Sequence, residues 1–341
     1  MKRLSTCFLA LAVLVTSSVA AVAQEKVSVA ALRFVSSAPI FIAQERGYFR
    51  EQGLDVDFKF FDAAQPIAVA VAAGDADLGI TGLTGGFYNL AGKGAIRIIA
   101  SQSREEPGYD FVAYLASKKA YDAGFSNPGA FPGKTIAITQ TGSTFHYMLG
   151  VLAEKRGFKL SDVTLKPLQS IANVTAALKG EQVDGALLPA NNAYQAEKDG
   201  FARIIGWVHQ ETPWQLGALF AGGRLIETRR ATVERFVAAY VRACADYADA
   251  FLQRDAAGKR IFGEKADLLI PMIQKYVEPK PSADQVKASA SYIDPKGRLL
   301  VGNIYNQIAW YQAQGMVARD VDASKVIDLS FIKDHLDVPK N

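Results

Sequence analysis

Cysteine and histidine are scarce in this sequence, and their scarcity excludes several kinds of site. Of the two cysteines among 341 residues, Cys7 lies in an N-terminal apolar stretch, which leaves Cys244 without an intramolecular partner. The three histidines are scattered, and no spacing of His, Cys and carboxylates resembles a zinc site. Phosphate-binding loops and nucleophile elbows are also missing. We therefore expect no disulfide, no metal, no cofactor and no catalytic residue.

A concentrated charge of one sign is missing as well. The chain carries 38 Lys and Arg against 34 Asp and Glu, a formal net charge of +4. The short charged doublets, such as Glu105-Glu106 and Lys118-Lys119, are typical of solvated surface. Nucleic-acid binding favours a clustered basic face, so we expect no such partner. Half of the residues are hydrophobic, which at this length predicts about two domains with cores of their own.

Long apolar runs are confined to the first 23 residues. A positive start at Lys2 and Arg3 is followed by an apolar stretch over residues 4–20 and by Ala21-Val22-Ala23, a small-x-small pattern. The stretch is short for a membrane span, which needs about 20 strongly apolar residues. The pattern predicts a signal peptide over residues 1–23 and export to the periplasm. The alternative is an uncleaved amphipathic anchor.

After the signal region, strand and helix patterns alternate in two successive series. Residues 54–60 alternate apolar and polar without a fault, which predicts a half-buried strand, and Gly74 is a natural helix stop. A second series runs from residue 135 to residue 207, and its phrase 180–185 resembles the phrase 74–79 of the first. The alternation predicts an α/β protein with two lobes, each a mostly parallel sheet flanked by helices.

Two apolar segments without helices of their own, residues 111–117 and 215–221, separate these series. We expect them to cross between the lobes as a two-stranded hinge. The chain from about Leu225 onward has helical periodicity. The predicted division is residues 1–23 as signal peptide, residues 24–112 with 219–341 as lobe 1, and residues 113–218 as lobe 2.

Several phrases together resemble the periplasmic binding proteins for nitrate, alkanesulfonates, taurine and thiamin precursors. They occur in order along the mature chain at residues 38–43, 47–49, 53–56, 74–79, 132–137, 142–147 and 180–185. Each phrase alone is weak, but the ordered set is specific for the family. The phrase around Gly142 is similar to the taurine and sulfonate members.

The resemblance implies a type II-like periplasmic binding protein fold and a non-catalytic function. Such a protein captures a small organic anion, here sulfonate- or taurine-like, and delivers it to an inner-membrane ABC permease with its ATPase subunit. We expect a monomer. A thiamin-precursor pyrimidine or an aromatic carboxylate is an alternative ligand, and presentation of the ligand to a sensory receptor is an alternative to transport. A pyrimidine-synthesising enzyme of the same fold is the alternative of another class, but its cysteine-rich motif is missing here.

The candidate ligand residues follow predicted strands. Small molecules bind outside the carboxyl ends of strands in open α/β sheets. Four segments place small polar residues at such ends: 33–38, 81–84, 140–144 and 189–192. The predicted ligand-binding residues are Arg33, Ser37, Thr81, Gly82, Thr84, Thr141, Gly142, Ser143, Thr144, Asn191 and Trp214.

The segment 140–144 is the strongest of the four. Gly142 allows close approach of the backbone, and a helix beginning near Ser143 presents free N–H groups and a positive dipole end. A plain helix cap is the alternative. The hydroxyls at Ser37, Thr81 and Thr84 also have an ordinary explanation as turn or cap residues. The remaining three have alternatives too: a surface position for Arg33, a helix cap for Asn191, and hinge packing for Trp214.

The N-terminal pattern generates a prediction about maturation. Because Ala21-Val22-Ala23 matches a signal-peptidase site, cleavage after Ala23 should leave Gln24 as the first residue. The measurement is N-terminal sequencing or intact mass of the protein exported by a Gram-negative host. Recovery of the uncleaved Met1 form from the membrane fraction would contradict the prediction.

Overall fold

The computed structural model describes residues 24–211 and 213–339, so the predicted signal peptide lies outside the described residues. The strands are β1 (Glu25–Ala31), β2 (Leu54–Phe60), β3 (Leu78–Gly82), β4 (Ile96–Glu105), β5 (Val112–Ser117), β6 (Thr135–Ile138), β7 (Thr164–Pro167), β8 (Gly185–Pro189), β9 (Ala202–Trp207) and β10 (Trp214–Gly222).

The helices alternate with these strands and then continue alone after β10. They are α1 (Ala38–Glu45), α2 (Tyr48–Glu51), α3 (Ala64–Ala73), α4 (Gly85–Gly92), α5 (Lys118–Asp122), α6 (Thr144–Arg156), α7 (Ile171–Lys179), α8 (Ala190–Lys198), α9 (Gly223–Thr228), α10 (Arg230–Phe251), α11 (Glu264–Gln274), α12 (Ala283–Ala288), α13 (Val301–Ala313) and α14 (Ala323–Val326). Within the described ranges, none of them has the length and apolar character needed to cross a bilayer.

The strands form two five-stranded sheets with equivalent topology: in each, the reversed strand takes the fourth position. The first sheet runs β2-β1-β3-β10-β4, and the second runs β7-β6-β8-β5-β9. In each sheet four strands point the same way, and one strand, β10 or β5, is antiparallel to both of its neighbours. The prediction of two α/β lobes with mostly parallel sheets is confirmed.

Each reversed strand is the first strand after the chain crosses from one lobe to the other. β5 follows the connection 106–111, and β10 follows the connection 208–213. The segments 111–117 and 215–221, expected to be the hinge itself, are therefore almost entirely sheet strands. A central strand buried on both faces gives the same continuous apolar run as a buried connection, which explains the difference. We propose that the lobes divide at these two connections, in place of the boundaries at residues 113 and 219.

Local sequence signals account for the ends of several helices. Pro39 lies in the first turn of α1, where its missing N–H costs no hydrogen bond. Gly74 closes α3 with φ +84°, in the left-handed region that favours glycine. The long helix α10 buries its predicted apolar face, including Phe236 and Tyr240, against α1 and α11 of the first lobe.

The two lobes contact one another beside the start of α6. The Gly85 N–H at the start of α4 donates to the Gly142 carbonyl at 2.9 Å. The Tyr311 hydroxyl on α13 donates to the Ser143 carbonyl at 3.0 Å, and this contact is buried. Both bonds hold the loop before α6 against elements that pack on the first sheet.

A buried acid, Glu105, lies where β4 ends and the first connection begins. Its side chain is fully buried. Burial raises the pKa of this carboxyl well above its usual range, and the charge of Asp110 acts in the same direction. Neither oxygen of this carboxyl has a hydrogen-bond partner among the described residues, so the nearby backbone N–H groups of Val112 and His209 do not reverse the shift. The folded protein therefore favours a neutral Glu105.

Neutral Glu105 makes stability depend on pH. A glutamate in the unfolded chain ionises near pH 4.3, so its contribution to stability is complete below that pH and is lost as pH rises toward the higher folded pKa. Glu105→Gln removes this loss and should raise the free energy of unfolding at pH 7.5. The gain should shrink toward pH 4. Urea unfolding at several pH values measures it, with the exposed Glu227→Gln as matched control. An identical pH dependence in both variants would contradict the prediction.

Candidate functional site

A small cavity of about 60 Å³ lies between the two lobes. Residues at or just after the ends of five strands contribute to its wall: Leu32, Asp62, Gly82, Thr139 and Pro189. Both sheets therefore direct the carboxyl ends of their parallel strands at the same space, as expected for ligand sites of open α/β sheets.

The wall of the cavity is mostly apolar. Its largest apolar members are Leu32, Phe34, Phe111, Val112, Phe145, Ile171 and Leu216. Among the described residues that line it, Asp62 alone carries a formal charge, and none is Lys, Arg or His. The polar groups are hydroxyls, at Ser36, Thr139 and Thr144, and the carboxamide of Gln102. Such a wall fits an organic molecule with an apolar body better than a small hydrated ion.

A wider hollow of about 700 Å³ forms the mouth of this cavity and shares Phe34, Asp62 and Ile171 with it. The predicted candidate Arg33 lines the mouth. Its guanidinium lies 3.9 Å from the centre of the Phe60 ring and 3.3 Å from a carboxylate oxygen of Glu278. Arg33 is thus placed at the entrance, with its charge already paired.

Gly82 and Thr144, both predicted candidates, meet on the cavity wall from opposite lobes. A Cβ atom added to Gly82 would lie 2.8 Å from the Thr144 methyl carbon, closer than real contacts allow. The glycine therefore lets the end of β3 approach the start of α6. These two are the members of the predicted set that line the inner cavity.

In the loop before α6, two backbone amides that were expected to hold an anion already have partners: that of Gly142, and that of Ser143, which donates to the Gln140 carbonyl at 3.1 Å. Gly142 has φ +76°, and its N–H donates to the ring nitrogen Nδ1 of His146 at 3.0 Å. The Ser143 hydroxyl accepts from the His146 N–H at 3.4 Å and caps α6. Thr144 and Phe145 begin the helix and line the cavity, and first-turn N–H groups have no partner within a helix. Any anion at this helix would meet these two residues first.

The other predicted residues lie off the inner wall. Ser37 and Thr81 are buried, and neither hydroxyl has a hydrogen-bond partner among the described residues. Thr84 caps α4 by accepting from the Phe87 N–H at 3.0 Å. Thr141 is exposed, and Asn191 is buried within α8.

Trp214 packs behind the cavity and does not line it. Its ring centre lies 5.0 Å from that of Tyr147, and the two residues border a separate, smaller space. Trp214 thus contacts aromatic side chains of the interior and is not among the residues that line the cavity.

Several wall residues lay outside the predicted set. Asp62 and Thr139 could have been included, because each comes within two residues of a strand end. Phe111 and Ile171 carried no signal beyond hydrophobicity. Gln102 lies within β4, where strand ends give no guide.

With this geometry in place, comparison with known proteins identifies the family. The family model described as "NMT1/THI5 like" matches residues 35–250, a range that includes both sheets except β1. This chain belongs to the NMT1/THI5-like family. The predicted resemblance is thereby confirmed.

The NMT1/THI5-like chain also matches individual proteins in sequence and fold. It is 31% identical over 168 residues to the taurine-binding periplasmic protein of Escherichia coli (strain K12), and the match spans about half of each protein: 48% of this chain and 49% of that one. The alkanesulfonate-binding protein SsuA from Xanthomonas axonopodis pv. citri, solved bound to MOPS, has a TM-score of 0.69 at 20% identity over 89% of this chain and 98% of that chain. The nitrate-binding protein NrtA from Synechocystis PCC 6803 has a TM-score of 0.71 at 11% identity over 90% and 87%. These structures show the two-lobed fold of periplasmic binding proteins.

His146 is the titratable side chain that holds the loop before α6 of this NMT1/THI5-like site. The side chain is buried, and burial lowers its pKa below the usual 6.5. Its Nδ1 can accept from Gly142 only while it carries no proton. The shape of the loop 140–143 therefore depends on a neutral imidazole.

The neutral form of His146 should stabilise the fold above pH 6.5, and this contribution should be lost as pH falls below 6.5 toward the lower folded pKa. His146→Asn keeps an acceptor oxygen and removes the titration, so it should lose less stability than the wild type between pH 7.5 and pH 5. His146→Leu removes the acceptor and should cost about 1–2 kcal/mol at pH 7.5. Thermal and urea unfolding of the three proteins measure both effects. Parallel pH profiles for the wild type and His146→Asn would refute the role of the imidazole.

Proposed function

We propose that this protein is the solute-binding component of an ABC-type importer, which captures a small organic molecule between its lobes. The observation that carries the proposal is the apolar cavity whose wall comes from both lobes, with Gly82 and Leu216 on one side and Thr144 and Phe145 on the other. A ligand that touches both sides stabilises the arrangement in which they are together. The similarity to taurine-binding and alkanesulfonate-binding proteins supports the same function.

The same comparisons support the proposed location and partners. We place the mature protein in the periplasm as a monomer, and we propose that it delivers its ligand to an inner-membrane permease with its ATPase subunit. Capture without chemical change fits the chain, because Cys244, the one cysteine of the described residues, is buried in the core of the first lobe. Burial raises the pKa of its thiol, so a thiolate nucleophile is disfavoured.

The proposed ligand is a small organic anion of the sulfonate type, with its anionic group at the start of α6. The helix dipole supplies only about 0.3–1 kcal/mol to such binding, whereas micromolar affinity corresponds to about −8 kcal/mol. Most of the affinity must therefore come from enclosure and from directed hydrogen bonds. The Phe34, Phe111 and Phe145 rings favour a ligand with an apolar body, which makes an aromatic carboxylate the second candidate. A thiamin-precursor pyrimidine is a further alternative.

Thr144 provides the test of this proposal. A thermal-shift screen of sulfonates, aromatic acids and thiamin precursors should yield a ligand, and calorimetric titration then compares variants. Thr144→Val keeps the shape of the side chain but removes its hydroxyl, so it should weaken binding about five- to hundredfold. The exposed Thr164→Val in β7 is the matched control and should bind as the wild type does.

Two outcomes would count against the proposal. Binding of none of the screened solutes would contradict capture of an organic molecule of these classes. Unchanged affinity of a Thr144→Val variant that is folded, as judged by a reversible thermal transition, would place the ligand away from the Thr144 hydroxyl. Ser143→Ala is the less useful variant, because loss of the helix cap destabilises α6 as well.

A further inference from the structure

We propose that Gln102 selects ligands that carry an N–H donor, so that the favoured ligand is an aromatic acid bearing an amino group. This inference rests on the proposed function and adds a specificity-determining residue to its site. It is carried by the placement of Gln102 in an irregular part of the first sheet, by the fixed orientation of its carboxamide, and by the charge of the wall.

The sheet is irregular where Gln102 lies. In the pairing of β4 with β10, Ser103 is opposite Gly217 and Ser101 is opposite Ala218, so Gln102 has no residue of its own across the pair. Leu216 is skipped in the same way on β10. Bulges re-aim side chains and are common next to binding sites. Both skipped residues line the cavity.

The orientation of the Gln102 carboxamide is fixed by one hydrogen bond. Its Nε2 donates to the Ser36 carbonyl at 3.2 Å, and since a carbonyl can only accept, the nitrogen must be on that side. The remaining atom, Oε1, has no partner among the described residues, although only 3% of the residue is exposed. A Cβ at Gly217 would lie 2.2 Å from this oxygen, so glycine is needed to leave it in place. A buried acceptor without a partner, on a residue that lines the cavity, favours a ligand that brings a donor to it.

The other charged and polar groups point to the same chemistry. Asp62 on the inner wall is an acceptor when ionised, and Asn192 at the mouth has an unpartnered Oδ1. A sulfonate or carboxylate offers acceptors alone and cannot satisfy Gln102. The site has three parts: the start of α6, the apolar wall and the Gln102 oxygen. A ligand with an anionic group, an aromatic body and an amino group matches these three parts in that order.

Two matched pairs of probes test the inference. Sulfanilate is compared with 4-toluenesulfonate, and 4-aminobenzoate with 4-methylbenzoate, because each pair differs by an amino group against a methyl group of similar size. Calorimetric titration should show the wild type binding the amino member of at least one pair about five- to hundredfold more tightly. Gln102→Met removes the acceptor at similar volume and should abolish that preference. The matched control is Gln274→Met. The Gln274 Nε2 also donates to a backbone carbonyl, that of Pro281, but Gln274 does not line the inner cavity or its mouth. This control should keep the preference.

A second variant protects the test against misfolding. If Gln102→Met does not give a cooperative melt, Gly217→Ala leaves Gln102 in the chain but forces its oxygen to move, and the preference should again be lost. Equal binding of the amino and methyl probes by the wild type, or a preference that survives in the Gln102 or Gly217 variants, overturns the inference. So does failure of all four probes to bind. In each case the proposed function stands if another screened solute binds with dependence on Thr144, so the two failures are distinguishable.

Discussion

Each sheet is completed by the strand that directly follows a connection between the lobes. The position of the binding cavity depends on this constraint. β10 lies between β3 and β4, and β5 lies between β8 and β9, so neither five-stranded sheet is continuous without its reversed strand. The skipped residues Gln102 and Leu216 lie close to the ends of β4 and β10 that adjoin the connections. The cavity is therefore formed beside the crossing, where the chain passes between lobes.

The two connections are also joined to each other. Asp110 on the first connection and His209 on the second lie 2.9 Å apart, and the Tyr194 hydroxyl on α8 donates to Asp110 at 2.6 Å. Burial alone would raise the pKa of Asp110, but the hydrogen bonds from His209 and Tyr194 lower it overall, which keeps this carboxylate ionised. Neighbouring Glu105 has no such neutralising side chains and is favoured in its neutral form. One acid thus ties the connections together, while the other costs stability at neutral pH.

The alternation of strands and helices was readable from the sequence, because apolar periodicity and helix-ending glycines are local signals. Gly74 and the faultless alternation of β2 each gave the correct element. The sequence did not show that residues 112–117 and 214–222 are sheet strands, since direction and pairing are properties of the whole sheet. The strand-end rule selected Gly82 and Thr144, which line the cavity, but it could not select Gln102, which also lines it. A bulge arises from the register of two strands more than a hundred residues apart in sequence, and no local pattern encodes it.

The loop at residues 140–144 illustrates why residue type alone overstates an anion site. A glycine, two hydroxyls and a helix start suggested many free donors, yet the Gly142 amide donates to His146 and the Ser143 amide donates to the Gln140 carbonyl. Donors consumed in holding the loop cannot also hold a ligand without a competing loss of stability. What remains at Thr144 and Phe145 is too weak to bind a bare anion tightly. Affinity must then reside in the apolar wall, and selectivity in the polar groups of that wall, such as the unpaired Gln102 oxygen.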